Sequence, residues 1–290
     1  MRFLVIGVSS YDTLIYIDSL PDNKSDFSTW AKKVHYSIGG TSAGKALSLK
    51  TLGSDVILAT DLGKDEIGSK ILKYLENKEM KLEVLNADKS TSHTNIMYEN
   101  GKRLSIFTST PNYVEFNPDL ENDIDSSDMV FLSINDYCRK YIPLIKNHKK
   151  KIVVDIHDYD LGNPYHQDFI EASDFLFVSG INIKEQIKFL QDNIDGREIV
   201  IITNAENGSI AIDKNNKIYH QKAYKVEELV DSNGAGDSYS AGFMYKYLKT
   251  NSIEESLKFA SICGALACSS QDLFNEKATE EYVESLMKDF

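Results

Sequence analysis

Short runs of β-branched and aromatic residues recur along the chain, apolar on both faces, and helical patterns separate them. The runs are Phe3–Val8, Val56–Thr60, Met129–Ser133, Ile152–Ile156, Phe175–Val178 and Ile199–Thr203. A strand with one face in water alternates apolar and polar residues. A run that is apolar throughout is covered on both faces, as the strands of a parallel sheet are. The covering layers are legible too. Ser42–Leu52 carries Leu47, Leu49 and Leu52, Glu66–Leu75 carries Ile67, Ile71, Leu72 and Leu75, and Lys184–Leu190 follows the run ending at Val178. Strands alternating with helices predict an α/β fold with a central, mostly parallel sheet flanked by helices. From about Asn251 the pattern is helical to the end, over Ile253–Cys268 and Thr279–Met287.

Two stretches break the alternation. Asp12–Ile38 holds the runs Leu14–Ile17 and Val34–Ile38. His93–Phe107 holds two alternating runs joined at Asn100-Gly101, a dipeptide that favours a tight hairpin turn. They read as one small β-sheet beside the main domain, or as an antiparallel edge on the main sheet. The first reading divides the chain into a main α/β domain of residues 1–11, 39–92 and 108–290 and a small sheet of residues 12–38 and 93–107.

Composition narrows the partners. Forty-four acidic against 32 basic residues leave a net charge of −12, which repels phosphate backbones and argues against nucleic acid. No apolar run approaches the ~18–20 residues that a membrane span needs. The first apolar run is short and lacks a signal peptide's cleavage site, so it reads as a buried strand. Three cysteines in 290 residues give neither a disulfide framework nor a metal pattern, and fit a reducing, cytoplasmic setting.

The most informative stretch is Val230-Asp231-Ser232-Asn233-Gly234-Ala235-Gly236-Asp237-Ser238-Tyr239-Ser240-Ala241-Gly242-Phe243. Gly234, Ala235 and Gly236 have little or no side chain, so their amides can approach a ligand closely. A helix starting here presents unpartnered N–H groups and the positive end of its dipole, which suits phosphate. Asp237 stands at the same helix start. It either caps the helix after a glycine turn or accepts the proton of a hydroxyl that attacks the phosphate.

This stretch resembles the C-terminal signature of the PfkB-type, ribokinase-like carbohydrate kinases, DTxGAGDxFxAGF. The resemblance implies a ribokinase-like α/β fold with the small sheet as a lid, and transfer of the γ-phosphoryl group of ATP to an alcohol of a small sugar. It gives Asp237 the role of catalytic base and Gly234–Gly236 that of anion hole. Asp231 would help hold a monovalent cation, K+, in those members that use one. The same family includes nucleoside kinases, and a non-catalytic ligand sensor on the same fold is a further alternative. Tyr11, Tyr16, Tyr98 and Phe107 are the aromatic residues that would suit a nucleoside. Lid-to-lid homodimers are common in the family.

Other segments extend the resemblance over essentially the whole chain. Gly7–Asp12 is similar to the family's first strand, whose terminal Asp holds substrate hydroxyls; Asp12 otherwise caps a turn. Gly39-Gly40-Thr41-Ser42-Ala43-Gly44-Lys45-Ala46 resembles the di-glycine motif that lies against the sugar, with Gly44 where many members have Asn. The same residues spell GxxxxGK, but a P-loop continues with Ser or Thr and this chain has Ala46. Asn182 and Glu185 match the family's NxxE, which organises Mg2+ largely through waters; they also fit a capping box. Thr203, Ala205 and Gly208 align with a TxGxxG turn along the nucleotide phosphates, with Ala205 in place of the middle Gly. Ser261 stands on a small-residue helix face like the one bordering the adenine pocket. Asp155 matches an Asp-x-Asn-x-Arg segment whose Asn and Arg are missing, and His157 and Asp158 reach either the site's edge or solvent.

Overall fold

The computed structural model describes residues 1–20, 28–99, 102–160, 162–226 and 229–290. In chain order the strands are β1 (Arg2–Ile6), β2 (Ser10–Tyr16), β3 (Lys33–Gly39), β4 (Asp55–Gly63), β5 (Lys81–Ala87), β6 (Thr91–Tyr98), β7 (Lys102–Ser109), β8 (Met129–Leu132), β9 (Ile152–Asp155), β10 (Phe175–Ser179), β11 (Ile199–Thr203), β12 (Ser209–Asp213) and β13 (Ile218–Gln221). The helices are α1 (Thr41–Thr51), α2 (Glu66–Asn77), α3 (Leu120–Ser126), α4 (Ile142–Asn147), α5 (Gln167–Ala172), α6 (Gln186–Asn193), α7 (Ala235–Thr250), α8 (Ile253–Ala267) and α9 (Glu280–Met287).

Among the described residues the main sheet has nine strands in the order β13-β12-β11-β10-β9-β8-β1-β4-β5. From β11 to β5 all neighbours are parallel; β12 and β13 add an antiparallel edge. The six runs read from the sequence are all in this parallel part. Both faces are covered, as uniformly apolar strands require. Along β1, Phe3 and Val5 enter a core with α1, α2, α7, α8 and α9, while Leu4 and Ile6 enter a second core with α3, α4, α5 and α6.

β2, β3, β6 and β7 form a separate four-stranded sheet, ordered β3-β2-β6-β7. The antiparallel-edge reading is therefore set aside. β6 and β7 pair antiparallel, as a hairpin must; its turn, Asn100-Gly101, lies outside the described residues. Several polar contacts tie the small sheet to the large domain. Lys33 Nζ donates to Gln271 Oε1 at 2.9 Å, His35 lies 3.8 Å from Asp272, and Arg103 Nη1 donates to Asn233 Oδ1 at 2.8 Å.

This topology dictates where a ligand can bind. β1 leads to β4 on one side and, after β5, the chain crosses to β8 on the other. The sheet thus has its switch point between β1 and β8, and the crevice opens beyond the carboxyl ends of those strands.

Candidate active site

A cavity of about 700 Å³ lies at that switch point. Val8 follows β1, Asp61 comes from β4, Ile134 and Asn135 follow β8, and His157 follows β9. The small sheet closes the other wall with Asp12, His93, Asn95, Arg103 and Phe107, and Asp237 stands at the floor.

Asp12 owes its orientation to strand register. β2 and β6 run parallel with Asp12 opposite His93, and the His93 Nδ1 atom is 3.2 Å from Asp12 Oδ1. Ser10 Oγ donates to the same oxygen at 2.7 Å, and Asn95 Nδ2 donates to Oδ2 at 3.2 Å. The carboxylate is buried yet held by donors, which a sparsely solvated charge needs. Gly39 is bare because a Cβ there would stand 2.3 Å from Asp12 Oδ2. Gly40, at φ 91°, would meet the carbonyl of Val8 at 2.5 Å. The di-glycine therefore lets β3 and the start of α1 press directly against Asp12 and the end of β1.

α7 begins after Gly234, which has φ 77°, and a Cβ on Gly234 would stand 2.0 Å from the Leu273 carbonyl oxygen. Gly236 has open space at the same test. One side of the loop is thus packed and the other free for close approach. The N-cap position belongs to Gly234, and Asp237 lies in the first turn. The Asp237 carboxylate does not cap the helix; it accepts a hydrogen bond from the Lys45 ammonium on α1. Lys45 Nζ is also 3.3 Å from Asp155 Oδ2, and the His157 amide donates to Asp155 Oδ1 at 3.0 Å. Lys45 and Asp237 are buried and Asp155 is largely so. Burial raises the Asp237 carboxyl above its ordinary range despite the countering charges of Lys45 and His157. At Asp155 burial is outweighed by His157 and Lys45, which hold its carboxyl low. Burial disfavours the Lys45 charge, but the two carboxylates more than offset it and keep the ammonium protonated.

Gly44 is buried in α1 against Asp237, where a Cβ would stand 2.9 Å from Asp237 Oδ2. The two glycine-bearing motifs, separated by nearly two hundred residues in sequence, thus meet at this carboxylate. Lys45, paired with two carboxylates, is not a free phosphate-binding lysine, so the P-loop reading falls.

The remaining residues follow the sheet order away from the cavity. Asn182 ends a 3-10 turn just after β10, and its Nδ2 donates to the Tyr159 carbonyl at 3.4 Å. Glu185 precedes α6 and serves as its N-cap residue without a side-chain bond, so the capping box is not formed. Its exposed carboxylate has Lys188 at 3.8 Å. Among the described residues no three His, Cys, Asp or Glu side chains gather as a metal cage. An exposed amide and carboxylate with room for water suit Mg2+, which keeps several waters and takes few protein ligands.

Thr203 ends β11, with its hydroxyl donating to the Val178 carbonyl at 3.4 Å. Ala205 is exposed at φ 47°, a left-handed conformation that favours the glycine usual in such a turn. Gly208, at φ 87°, has no room for a Cβ, which would lie 2.0 Å from the Gln221 carbonyl. The Ser261 hydroxyl is occupied by backbone: it accepts from the Tyr224 amide at 2.8 Å and donates to the Lys222 carbonyl at 3.1 Å. Asp231 is buried, with Oδ1 accepting from the Asn233 amide at 2.9 Å and Oδ2 lacking a partner among the described residues. An orphaned buried carboxylate oxygen fits a cation ligand.

Asp61, His93 and Asn95 at the cavity, and Lys45 in its pairing with Asp237, are among the residues that escape the sequence reading. Asp61 alone left a usable signal, a carboxylate inside a nine-residue strand buried over Val56–Gly63.

Comparison with known proteins is consistent over the whole chain. The family model for pfkB family carbohydrate kinases matches residues 4–278. The ribokinase of Dictyostelium discoideum is 27% identical over 297 residues, covering 89% of this chain and 92% of that one. A nucleoside kinase of Methanothermobacter thermautotrophicus is 28% identical over 283 residues, covering 89% and 86%. Among solved structures, a microbiome-derived acarbose kinase superposes with a TM-score of 0.89 at 24% identity, covering 99% of both chains.

Proposed function

The chain belongs to the pfkB family of carbohydrate kinases, and from that premise we propose that its cleft transfers the γ-phosphoryl group of ATP to an alcohol of a sugar held by Asp12, with Asp237 as the base. One observation carries this reading. Asp237 is buried beside the cavity, in the first turn of α7, whose start is the bare Gly234-Ala235-Gly236. Through Lys45 it is linked to Asp155 at the end of β9; Asn182 follows β10 and Thr203 ends β11, the next strands of the sheet.

The roles follow from chemistry. Asp12, fixed by Ser10, His93 and Asn95, accepts hydrogen bonds from neighbouring hydroxyls of the acceptor, with the di-glycine as close-packed backbone beside it and Gly44 packed against Asp237. Asp237 removes the proton from the reacting hydroxyl. The amides of Gly234, Ala235 and Gly236 and the dipole of α7 receive the charge on the transferred group. Thr203, Ala205 and Gly208 lie along the nucleotide, with Ser261 behind its pocket as a structural tie. Asn182 and Glu185 would hold magnesium, and that ion would supply charge neutralisation for the phosphates. The orphaned oxygen of Asp231 supports a monovalent cation such as K+ at that loop. Base removal is worth roughly 10²–10⁴-fold in rate and anion stabilisation roughly 10²–10³-fold.

The small sheet sets Asp12, His93, Asn95, Arg103 and Phe107 at the cleft, and the Arg103–Asn233 bond ties that sheet to the loop before α7. We assign it the role of a lid that excludes water from the transfer. It exposes Val34, Tyr36, Leu104 and Ile106, apolar area that a second copy would cover in a homodimer. No helix among the described residues is long and apolar enough to cross a membrane. The three unpaired thiols support the cytoplasm as the site of action.

A sugar is favoured over a nucleoside. Of Tyr11, Tyr16, Tyr98 and Phe107, Phe107 alone lines the cavity, while the wall is rich in carboxylate, amide and hydroxyl groups. A non-catalytic sensor has no use for a buried base. ATP consumption measured against sugar and nucleoside panels, with product analysis, separates the readings. A phosphorylated sugar supports the proposal, a phosphorylated nucleoside replaces its substrate, and ligand binding without ATP turnover overturns it.

A further inference from the structure

The GxxxxGK spelling that ends at Lys45 has no part in the phosphate loop, yet its lysine is among the most buried charges of the molecule. The Lys45 ammonium lies between two carboxylates from different parts of the fold: Asp237 on α7, to which it donates a hydrogen bond, and Asp155 at the end of β9, at 3.3 Å. Gly44, the preceding residue, leaves no side chain between α1 and α7, so the Asp237 carboxylate leans onto α1. The glycine and the lysine act as a pair. One makes room for the carboxylate and the other anchors it.

We propose that Lys45 is a positioning residue for the base: its ammonium, shared with Asp155, holds the Asp237 carboxylate in place and ionised, ready to take the proton of the acceptor hydroxyl. This rests on the reading of Asp237 as the base. The charge arithmetic explains why two carboxylates are needed. Lys45 with Asp237 alone would be a neutral pair whose base is fully compensated and weak. With Asp155 added, the cluster carries one net negative charge before the proton arrives and none afterwards, so proton uptake removes a buried charge. The ionisable groups facing Asp237 are Lys45 from α1, and Asp155 and His157 from β9 and the turn after it. α8, packed on another side of α7, sets Gly264 against Ala235 and Tyr239, and Cys263 against Gly242.

The signs are opposite for the two partners. Lys45 favours the ionised form of Asp237, and Asp155 opposes it. K45M alone leaves two carboxylates buried together and risks misfolding, so the informative pair is D155N and K45M/D155N, which differ only in the lysine. In protein labelled with 13C at aspartate carboxyls, the Asp237 signal is assigned by its loss in D237N and titrated in each variant. An opposite charge at this range moves a carboxyl by about 1–3 pH units. The expected result is a titration of Asp237 higher by that amount in K45M/D155N than in D155N. The acid limb of turnover on the best acceptor of the panel should move with it, while the KM for ATP stays put. Equal Asp237 titrations in the two variants, with only a lower melting temperature in the double variant, would make Lys45 a structural ion pair and overturn the proposal. Wild-type turnover in D237N would overturn the reading beneath it, and the proposal with it, whatever the titration shows.

Discussion

Asp61 offers a quantitative test of how the cavity wall is built. It lies in β4 with no exposed surface. The Tyr137 hydroxyl donates to Oδ1 at 2.7 Å and the Thr91 hydroxyl to Oδ2 at 3.3 Å. Burial dominates these bonds and pushes the carboxyl from 3.8 up to about 7. In the unfolded chain the group ionises near 3.8, so between pH 4 and 7 the folded protein holds a proton that the unfolded one has lost. Stability conferred by that proton is complete below pH 4, falls as pH rises, and is gone above about pH 7. At about 1.4 kcal/mol per pH unit the span is worth roughly 4 kcal/mol. Asp61→Asn keeps an oxygen for the Tyr137 hydroxyl and an amide that Thr91 can accept, but cannot ionise. Melting temperatures of wild type and variant, measured from pH 4 to pH 8, should coincide within a few degrees at the acid end. At pH 8 the variant should be higher by on the order of 10 °C, since each kcal/mol moves the midpoint by about 2–4 °C in larger domains. Other titrating groups cancel in the difference. A gap that stays constant across the pH range would refute the claim that Asp61 is a buried acid protonated in the native state.

Two further substitutions probe the site. Asp12→Ala removes a charged acceptor whose hydrogen bonds are typically worth about 1.5–3 kcal/mol, so the KM for the sugar should rise roughly 10–100-fold while the KM for ATP is unchanged, as initial-rate kinetics in each substrate would show. Gly234→Ala forces a Cβ to within 2.0 Å of the Leu273 carbonyl oxygen at φ 77°; both the melting temperature and turnover should fall, and a variant that keeps both would show that the loop has slack.

What could be read from the sequence, and what could not, has a physical pattern. The six central strands were legible because burial on both faces removes polar residues from them. β5 escaped because Lys81–Ala87 is half exposed and mixes lysine, glutamate and asparagine with its apolar residues. β12 and β13, at five and four residues, escaped as well, and α3, α4 and α5, at seven, six and six residues, are too short to show a helical period. The anion loop was legible because bare glycines beside a carboxylate have few other uses. Lys45 was not, since its partners lie 110 and 192 positions away and only the packing of α1 against α7 and the main sheet brings them together. His93 and Asn95 look like the polar face of an ordinary strand until β2 is set beside β6.

The central claim is that Asp237 takes the proton of the acceptor alcohol. The direct measurement is kcat of Asp237→Asn on the phosphorylated sugar at saturating ATP. The substituted amide still offers Lys45 an oxygen, so the fold and its melting temperature should be retained. Turnover should fall by about 10²–10⁴-fold, the contribution of a positioned base. A folded variant that phosphorylates the sugar at the wild-type rate would contradict the account.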